Sequence, residues 1–210
     1  MIEYVFAHDP DDRIIEKARG LLKDGQLIII PTDTNWVLVG DAFNKKAVDA
    51  LYRLKGEDKG HHFSLLCQDL SKASELAHIP DSAFKIIRNK IPGHYTFIFE
   101  ATKKVTKALK ASKTDHQIGL RFVPEVLVTR LLEAHGGALI SSHLDDNLMK
   151  RPVGEGSDPL YSYEIEEALG PLISLIIDPG ELHFVGPSTI YDMREDVMEL
   201  VREGMGEPLF

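Results

Sequence analysis

The chain of 210 residues carries one cysteine, Cys67, and one tryptophan, Trp36. A single cysteine excludes an internal disulfide framework. No apolar run approaches the ~20 residues a membrane helix needs, because QLIIIP and LISLIID are strand-sized, so no membrane partner is expected. The first residues, MIEYVFAHDPDD, lack a basic region, an apolar segment and a cleavage site, and therefore do not read as a secretory signal; a cytoplasmic protein is expected. Base is scarcer than acid, with 24 Lys and Arg against 33 Asp and Glu and a net charge of −9. Such a balance argues against a surface that attracts nucleic acid everywhere, since phosphate-driven affinity needs clustered cations, yet it permits a local basic concavity. The clusters available are Lys45 with Lys46, Lys55 with Lys59, and the series Lys103, Lys104, Lys107, Lys110 and Lys113, each also readable as a solvated helix face.

Several chemical signatures are missing too. There is no Gly-x-Gly-x-x-Gly, no Gly-x-x-x-x-Gly-Lys-Ser/Thr and no Gly-x-Ser-x-Gly, so dinucleotide, Walker and hydrolase-elbow chemistry have no support. The nine histidines are scattered and none has HExxH spacing; His61 and His62, if they begin a strand, point to opposite faces, and no metal site is expected. Cys67 ends an apolar run and reads as core rather than nucleophile. Ser142, His143 and Asp145 resemble a triad only on paper, because triad geometry is met in space rather than along the chain.

What is present is an interleaving of helix and strand patterns with no repeat. Ile14, Ile15, Ala18, Leu21 and Leu22 recur at helical spacing behind the capping candidates Asp11 and Asp12, with Gly25 beyond the end. QLIII reads as a buried strand stopped by Pro31, and WVLVG as the next. Asn44 caps a helix closed by Lys55 and Gly56; then come HFSLLC, the helix DSAFKIIRN, YTFIFEA, QIGLRF, the helix PEVLVTRLLEAHG, ALISS, SYEIEEALG, LISLIID, STIYDM and MELVREG. The stretch from Leu144 to Leu160 is rich in Asp, Gly, Pro and Asn and reads as a surface loop or lid. Helices and strands joined by short links point to one α/β domain over residues 1–210, its sheet covered by helices.

Between the strands IIIP and WVLVG lies Thr32-Asp33-Thr34, more polar than a hairpin turn requires. Further hydroxyls and cations fall at other strand or helix ends: Lys55, Arg121, Ser141, Ser142, Ser188, Thr189 and Arg202. In open α/β sheets ligands bind outside strand ends, so convergence of these groups would build a site for a phosphate or carboxylate. Turn chemistry or a satisfied surface accounts equally for each residue taken alone.

The order PTDT, YRLKG, PGHYTFIFEA, IGLRFVP, ISS, GPSTIYD and VREG resembles the YrdC-like superfamily, whose members include threonylcarbamoyl-AMP synthases, over nearly the whole chain. DKGHHFSLLCQDL and VREGMGEPLF resemble its YciO branch. The resemblance implies a twisted open mixed sheet with a positively charged concave cleft, binding of a nucleotide and of double-stranded RNA or tRNA, and a role in translation near tRNA threonylcarbamoyladenosine. It places Lys55, Ser141, Ser142 and Arg202 at the nucleotide, and Thr32, Thr34, Arg121 and Ser188 at an amino acid or other anion. It implies no covalently bound cofactor, ATP with Mg²⁺ being the substrate of a synthase that captures bicarbonate on threonine and adenylates the carbamate. The chain departs from the synthase pattern at Asn35-Trp36-Val37, at Glu57 in place of the Arg of Lys-x-Arg, at His61-His62-Phe63, and at Leu144-Asp145-Asp146 within the serine signature. Three readings stand: a binder of nucleotide and RNA, an active synthase, and a hydrolase of the threonylcarbamoyl group using His61, His62 or His143 as base.

Overall fold

Three consecutive isoleucines, Ile28 to Ile30, can all be buried only if both faces of their strand are covered. The computed structural model, which describes residues 1–57, 60–150, 160–195 and 197–209, provides that cover. The first half of the chain runs β1 (Ile2–Tyr4), α1 (Asp12–Lys23), β2 (Ile28–Pro31), β3 (Trp36–Asp41), α2 (Lys45–Lys55), β4 (Ser64–Leu66), α3 (Leu70–Ser74), β5 (Ala77–His78), α4 (Asp81–Ile87) and β6 (Tyr95–Ala101). The second half runs α5 (Lys103–Ala108), α6 (Lys110–Asp115), β7 (Gln117–Arg121), α7 (Val126–His135), β8 (Leu139–His143), α8 (Asp146–Met149), α9 (Ser162–Leu169), β9 (Leu175–Asp178), β10 (Thr189–Asp192) and β11 (Glu199–Arg202).

Among the described residues the eleven strands form one mixed sheet in the order β1-β9-β2-β3-β8-β4-β7-β6-β10-β11, with β5 beside the far end of β6. The fold is thus the single α/β domain with a helix-covered mixed sheet that the sequence pattern implied. Local signals account for its boundaries. Asp11 accepts from the Arg13 N–H at the start of α1, and Asn44 from the Lys46 N–H at the start of α2. Gly56 closes α2 at φ 65, a left-handed conformation that costs glycine little. β2 ends at Pro31, as expected, with Pro31 as its last residue and paired in register with Trp36. Residues 146–149 of the presumed loop form the single turn α8, capped by Asp145; residues 151–159 of that loop, and Lys59, lie outside the described residues.

One face of the sheet packs on α1 and α7: Ile15, Ala18 and Leu22 with Leu127, Val128, Leu131 and Leu132 bury Ile28, Ile30, Val37, Val39, Leu139, Leu175 and Ile177. The alternate residues, among them Ile29, Trp36, Leu38, Leu65, Phe97 and Leu120, enter a larger core on the other face, which takes in α2 and α9. Val105 and Leu109 join that second core, so the lysine series on α5 and α6 lies on the side away from α1 and α7. The α1/α7 core contains no residue of β6, β10 or β11. Among the described residues these two helices therefore cover only part of their face and leave the remainder open.

Candidate functional site

Register decides what that open area presents. Ser141 on β8 pairs with Val39 and with Ser64, Leu66 on β4 pairs with Arg121, and Gly119 on β7 pairs with Ile98. Thr96 on β6 pairs with Ile190, which pairs with Arg202 on β11. Partners in register share a face, so Ser141, Ser64, Gly119, Arg121, Thr96, Ile190 and Arg202 continue the face that begins with Val37 and Val39 under the helices. Where α1 and α7 end, apolar side chains give way to hydroxyls and guanidinium groups. All of these floor residues except Gly119 line a cavity of about 480 Å³. Gly119 keeps the floor low, because a Cβ there would stand 3.3 Å from both the Ser64 hydroxyl and the Thr96 methyl.

The polar hairpin turn supports the floor from one side. Thr32 is used up locally: its hydroxyl donates to the Asn35 carbonyl at 2.8 Å and accepts from the Thr34 and Asn35 N–H groups at 3.3 Å. Asp33 turns inward, its side chain 1% exposed, and its two oxygens receive Arg121 Nη2 at 2.7 Å and His94 Nδ1 at 2.8 Å. Arg121 Nη1 donates to the Thr34 hydroxyl at 3.1 Å. The Arg121 side chain is 9% exposed and its buried Nε has no hydrogen-bond partner among the described residues. Burial lowers its pKa and Asp33 opposes that shift, leaving a cation, since guanidinium does not deprotonate in proteins. Above Asp33, the Glu125 carboxyl is pushed up by burial and by the Asp33 charge.

At the β10 side, Arg202 clamps Ser188 by donating from Nη2 to its carbonyl at 2.7 Å and to its hydroxyl at 3.2 Å. That hydroxyl also meets Thr96 Oγ1 at 2.8 Å. At the α2 side, Lys55 is 4% exposed and donates to the His143 carbonyl at 3.1 Å and to Asp145 Oδ2. Asp145 also accepts from the Leu148 N–H at 2.8 Å. Burial alone would raise the Asp145 pKa, but Lys55 and that N–H outweigh it and hold the carboxyl below its ordinary range. Burial, then the Lys55 charge, lowers the pKa of His143. Glu57 pairs with His61 at 3.3 Å, and His62 with Asp115 at 2.6 Å.

Of the eight residues that the resemblance places at a ligand, seven, Thr34, Lys55, Arg121, Ser141, Ser142, Ser188 and Arg202, border this one cavity and Thr32 does not; Asp33 and Thr189, also singled out in the sequence, do not border it either. Most of the groups sit at element ends, Arg121 and Arg202 as the last residues of β7 and β11, Lys55 as the last of α2 and Ser188 just before β10, while Ser141 and Ser142 lie within β8. One expectation changes. The cavity is not markedly positive: Lys55, Arg121 and Arg202 are offset by Glu57 and Asp145 on the walls and by Asp33 underneath. His61 and His62 precede β4 rather than opening it, and both border the cavity. Leu144 is buried in the core, and the Ser142 hydroxyl lies 3.5 Å from the His143 carbonyl with no bond to an imidazole, so Ser142, His143 and Asp145 make no triad. Sequence reasoning missed Ser64, Thr96, Gly119, His94 and the anchoring role of Asp33. The available signal was a polar or glycine residue at alternate positions of otherwise apolar strands, as in HFSLLC, YTFIFEA and QIGLRF. Among the described residues no group of three or more His, Cys, Asp or Glu is placed to hold a metal, and no helix is long and apolar enough to cross a membrane.

The family model described as Sua5, YciO and YrdC, telomere recombination, matches residues 20–204. The Escherichia coli K12 protein YciO is 33% identical over 204 residues, 97% of this chain and 95% of that one, and its crystal structure superposes with a TM-score of 0.83 at 31% identity, covering 99% and 97% of the two chains. A putative threonylcarbamoyl-AMP synthase of Methanocaldococcus jannaschii is 23% identical over 202 residues, 96% of this chain and 91% of that one. Sua5 of P. abyssi complexed with L-threonine has the same fold, with a TM-score of 0.82 at 22% identity over 97% of this chain and 57% of that one. The chain belongs to the Sua5/YciO/YrdC family and is related within it to YciO proteins and, more distantly, to threonylcarbamoyl-AMP synthases.

Proposed function

We propose that this chain binds a nucleotide unit of RNA, in tRNA or in a duplex, over the open face of its sheet, and acts near tRNA threonylcarbamoyladenosine in translation. One observation carries the reading: Arg121, held by Asp33 and Thr34, borders the cavity together with Arg202, whose side-chain hydrogen bonds go to the neutral Ser188. Two guanidinium groups on one cavity favour an anionic oxygen through charge-assisted hydrogen bonds. The hydroxyls of Ser64, Thr96, Ser141 and Ser188 beside them suit the ribose and phosphate oxygens of a nucleotide. Kinship with threonylcarbamoyl-AMP synthases supports the connection to that nucleoside.

Binding of a tRNA transcript and of duplex RNA to the whole chain, measured by fluorescence anisotropy, tests the reading. Affinity should fall with salt and weaken at least tenfold in Arg121→Met, while Lys104→Met on the opposite side of the sheet changes it little. Equal loss in both variants would sink it. Incubation with radiolabelled threonine, bicarbonate and ATP should yield no threonylcarbamoyl-adenylate, because Glu57 and Asp145 stand where a triphosphate needs cations.

A second reading, hydrolysis of the threonylcarbamoyl group, draws on His143: its ring borders the cavity with a lowered pKa, so it is a neutral base at pH 7. It requires loss of the modified nucleoside from tRNA incubated with the protein, and unchanged nucleoside levels end it.

A further inference from the structure

The three cations of the cavity are not equivalent. Arg202 spends its donors on the Ser188 carbonyl and hydroxyl, both neutral, so its charge remains available to a ligand. Arg121 is balanced by Asp33 from beneath, on the side away from the cavity opening. Lys55 alone is neutralised within the cavity wall, by Asp145, and the ammonium is almost wholly buried in that contact. Asp145 is itself fixed by the Leu148 N–H at the start of α8, so the carboxylate is not free to swing away without uncapping that turn. Glu57, two residues beyond Lys55, adds a second carboxylate to the same wall.

The cavity is therefore polarised. Its β10–β11 side offers the unmatched charge of Arg202, and its α2–α8 side presents a neutral ion pair next to Glu57. β8 and β10 are separated by β4, β7 and β6, four inter-strand steps or about 19 Å along a flat sheet at ~4.8 Å per step. A nucleoside with one phosphate can place that phosphate against Arg121, which stands on β7 only two inter-strand steps from β8. Further phosphates carried from Arg121 toward α2 would approach the wall lined by Asp145 and Glu57.

We propose that Asp145 is a specificity-determining residue which occupies the anion position of Lys55, so that the cleft accepts a nucleoside monophosphate unit, free or within an RNA strand, and rejects a nucleoside triphosphate. This rests on the nucleotide-binding reading above and narrows it to one ligand class. Asp145 takes the place in the cleft that a polyphosphate oxygen would otherwise hold.

The test is isothermal titration of the whole chain with AMP, ADP, ATP with Mg²⁺, and a single-stranded 12-nucleotide RNA. The native chain should bind AMP at least tenfold more tightly than ATP. Asp145→Asn keeps a helix-capping side chain but removes the charge; it should raise ATP affinity at least tenfold and leave AMP within about threefold. Glu57→Gln, on an accessible side chain, should move ATP in the same direction by less and serves if Asp145→Asn fails to fold. Asp146→Asn, one residue on and outside the cavity lining, should change neither ligand. RNA binding tighter than AMP by tenfold or more assigns the unit to a strand, and the reverse assigns it to a free nucleotide; both agree with the proposal. ATP binding as tight as AMP in the native chain, or ATP affinity unmoved in both Asp145→Asn and Glu57→Gln, overturns it while leaving nucleotide binding in place. Failure of AMP, ATP and RNA all to bind overturns it together with the function on which it rests.

Discussion

Asp33→Asn removes one negative charge from beneath Arg121 and changes almost nothing in shape. In the native chain Asp33 Oδ1 meets Arg121 Nη2 at 2.7 Å and Oδ2 meets His94 Nδ1 at 2.8 Å, with the two ion-paired side chains 1% and 9% exposed. Screening by solvent is therefore slight, and breaking a buried pair from one side leaves the other charge uncompensated, which costs about 3–5 kcal/mol. The amide oxygen of asparagine can still accept from Nη2, which places the expectation at the lower end of that range. For a chain of this length each kcal/mol lowers Tm by roughly 2–4 °C, so a fall of about 6–12 °C is expected at that lower end. The assay is thermal and urea unfolding, followed by the fluorescence of Trp36, the chain's one tryptophan, which is fully buried. Arg121→Met alone should also destabilise, because it strands the Asp33 carboxylate. The double variant Asp33→Asn with Arg121→Met should lose less than the sum of the two, by about 0.5–3 kcal/mol, since neither charge is then orphaned. A loss below about 1 kcal/mol in Asp33→Asn, or strict additivity in the double variant, would refute the claim that this pair anchors the floor.

Four further outcomes follow from the geometry. Trp36→Phe deletes the Nε1 donor to the Leu160 carbonyl at 2.7 Å and leaves a buried acceptor unpaired, so unfolding monitored by circular dichroism should show a loss of about 1–3 kcal/mol; a change under about 0.5 kcal/mol counts against that bond. Gly119→Ala sets a methyl 3.3 Å from Ser64 Oγ and Thr96 Cγ2, so AMP or RNA affinity should fall several-fold while stability shifts by no more than about 1 kcal/mol; stability lost with affinity intact contradicts the placement of Gly119 under the ligand. His143, whose pKa burial and then Lys55 hold below the ordinary 6.5, binds fewer protons folded than unfolded, so its stabilising contribution is present above pH 6.5 and lost as pH falls through the lowered value. His143→Asn should accordingly flatten the decline of stability below pH 6.5, and an unchanged slope rejects the assignment. Cys67 is buried and its thiol pKa is driven up by that burial, so iodoacetamide should modify it only at the rate of unfolding; rapid alkylation of the native chain would disprove it.

The elements that could be read from the sequence were those whose period or caps are strong: α1 behind Asp11, α2 between Asn44 and Gly56, and the apolar strands β2, β3 and β9. Those that escaped are short or lack an apolar period. β1 and β5 have three and two residues, and their pairing to β9 and β6 is a tertiary event with no local signature. α6, KASKTD, has almost no apolar face to declare it. The cavity was half legible for a related reason. Hydroxyls and cations at element ends stood out as exceptions, so Lys55, Arg121, Ser188 and Arg202 were found. Ser64 and Thr96 sit inside apolar strands, where alternation alone says that one face is different but not that the face is uncovered; that depends on where α1 and α7 stop. Asp145 was hidden because its partner Lys55 lies ninety residues earlier, joined to it only by the fold.

The floor and the walls of the cavity answer to different constraints. The floor is distributed over β8, β4, β7, β6, β10 and β11, and each of its side chains is fixed by sheet register; changing one disturbs neighbours on two strands. Asp33 and Thr34 bind the hairpin turn to that floor through Arg121, so turn and floor constrain each other. The walls are different. Glu57 and His61 follow α2, and Asp145 precedes α8, all in short connections where a side chain can change charge without altering register. The departures from the synthase pattern that bear a titratable side chain and border the cavity, Glu57, His61, His62 and Asp145, stand on those walls, whereas those on β3, Trp36 and Val37, are apolar. Under the proposed function, the charge of the ligand is thus set at positions that the sheet does not constrain.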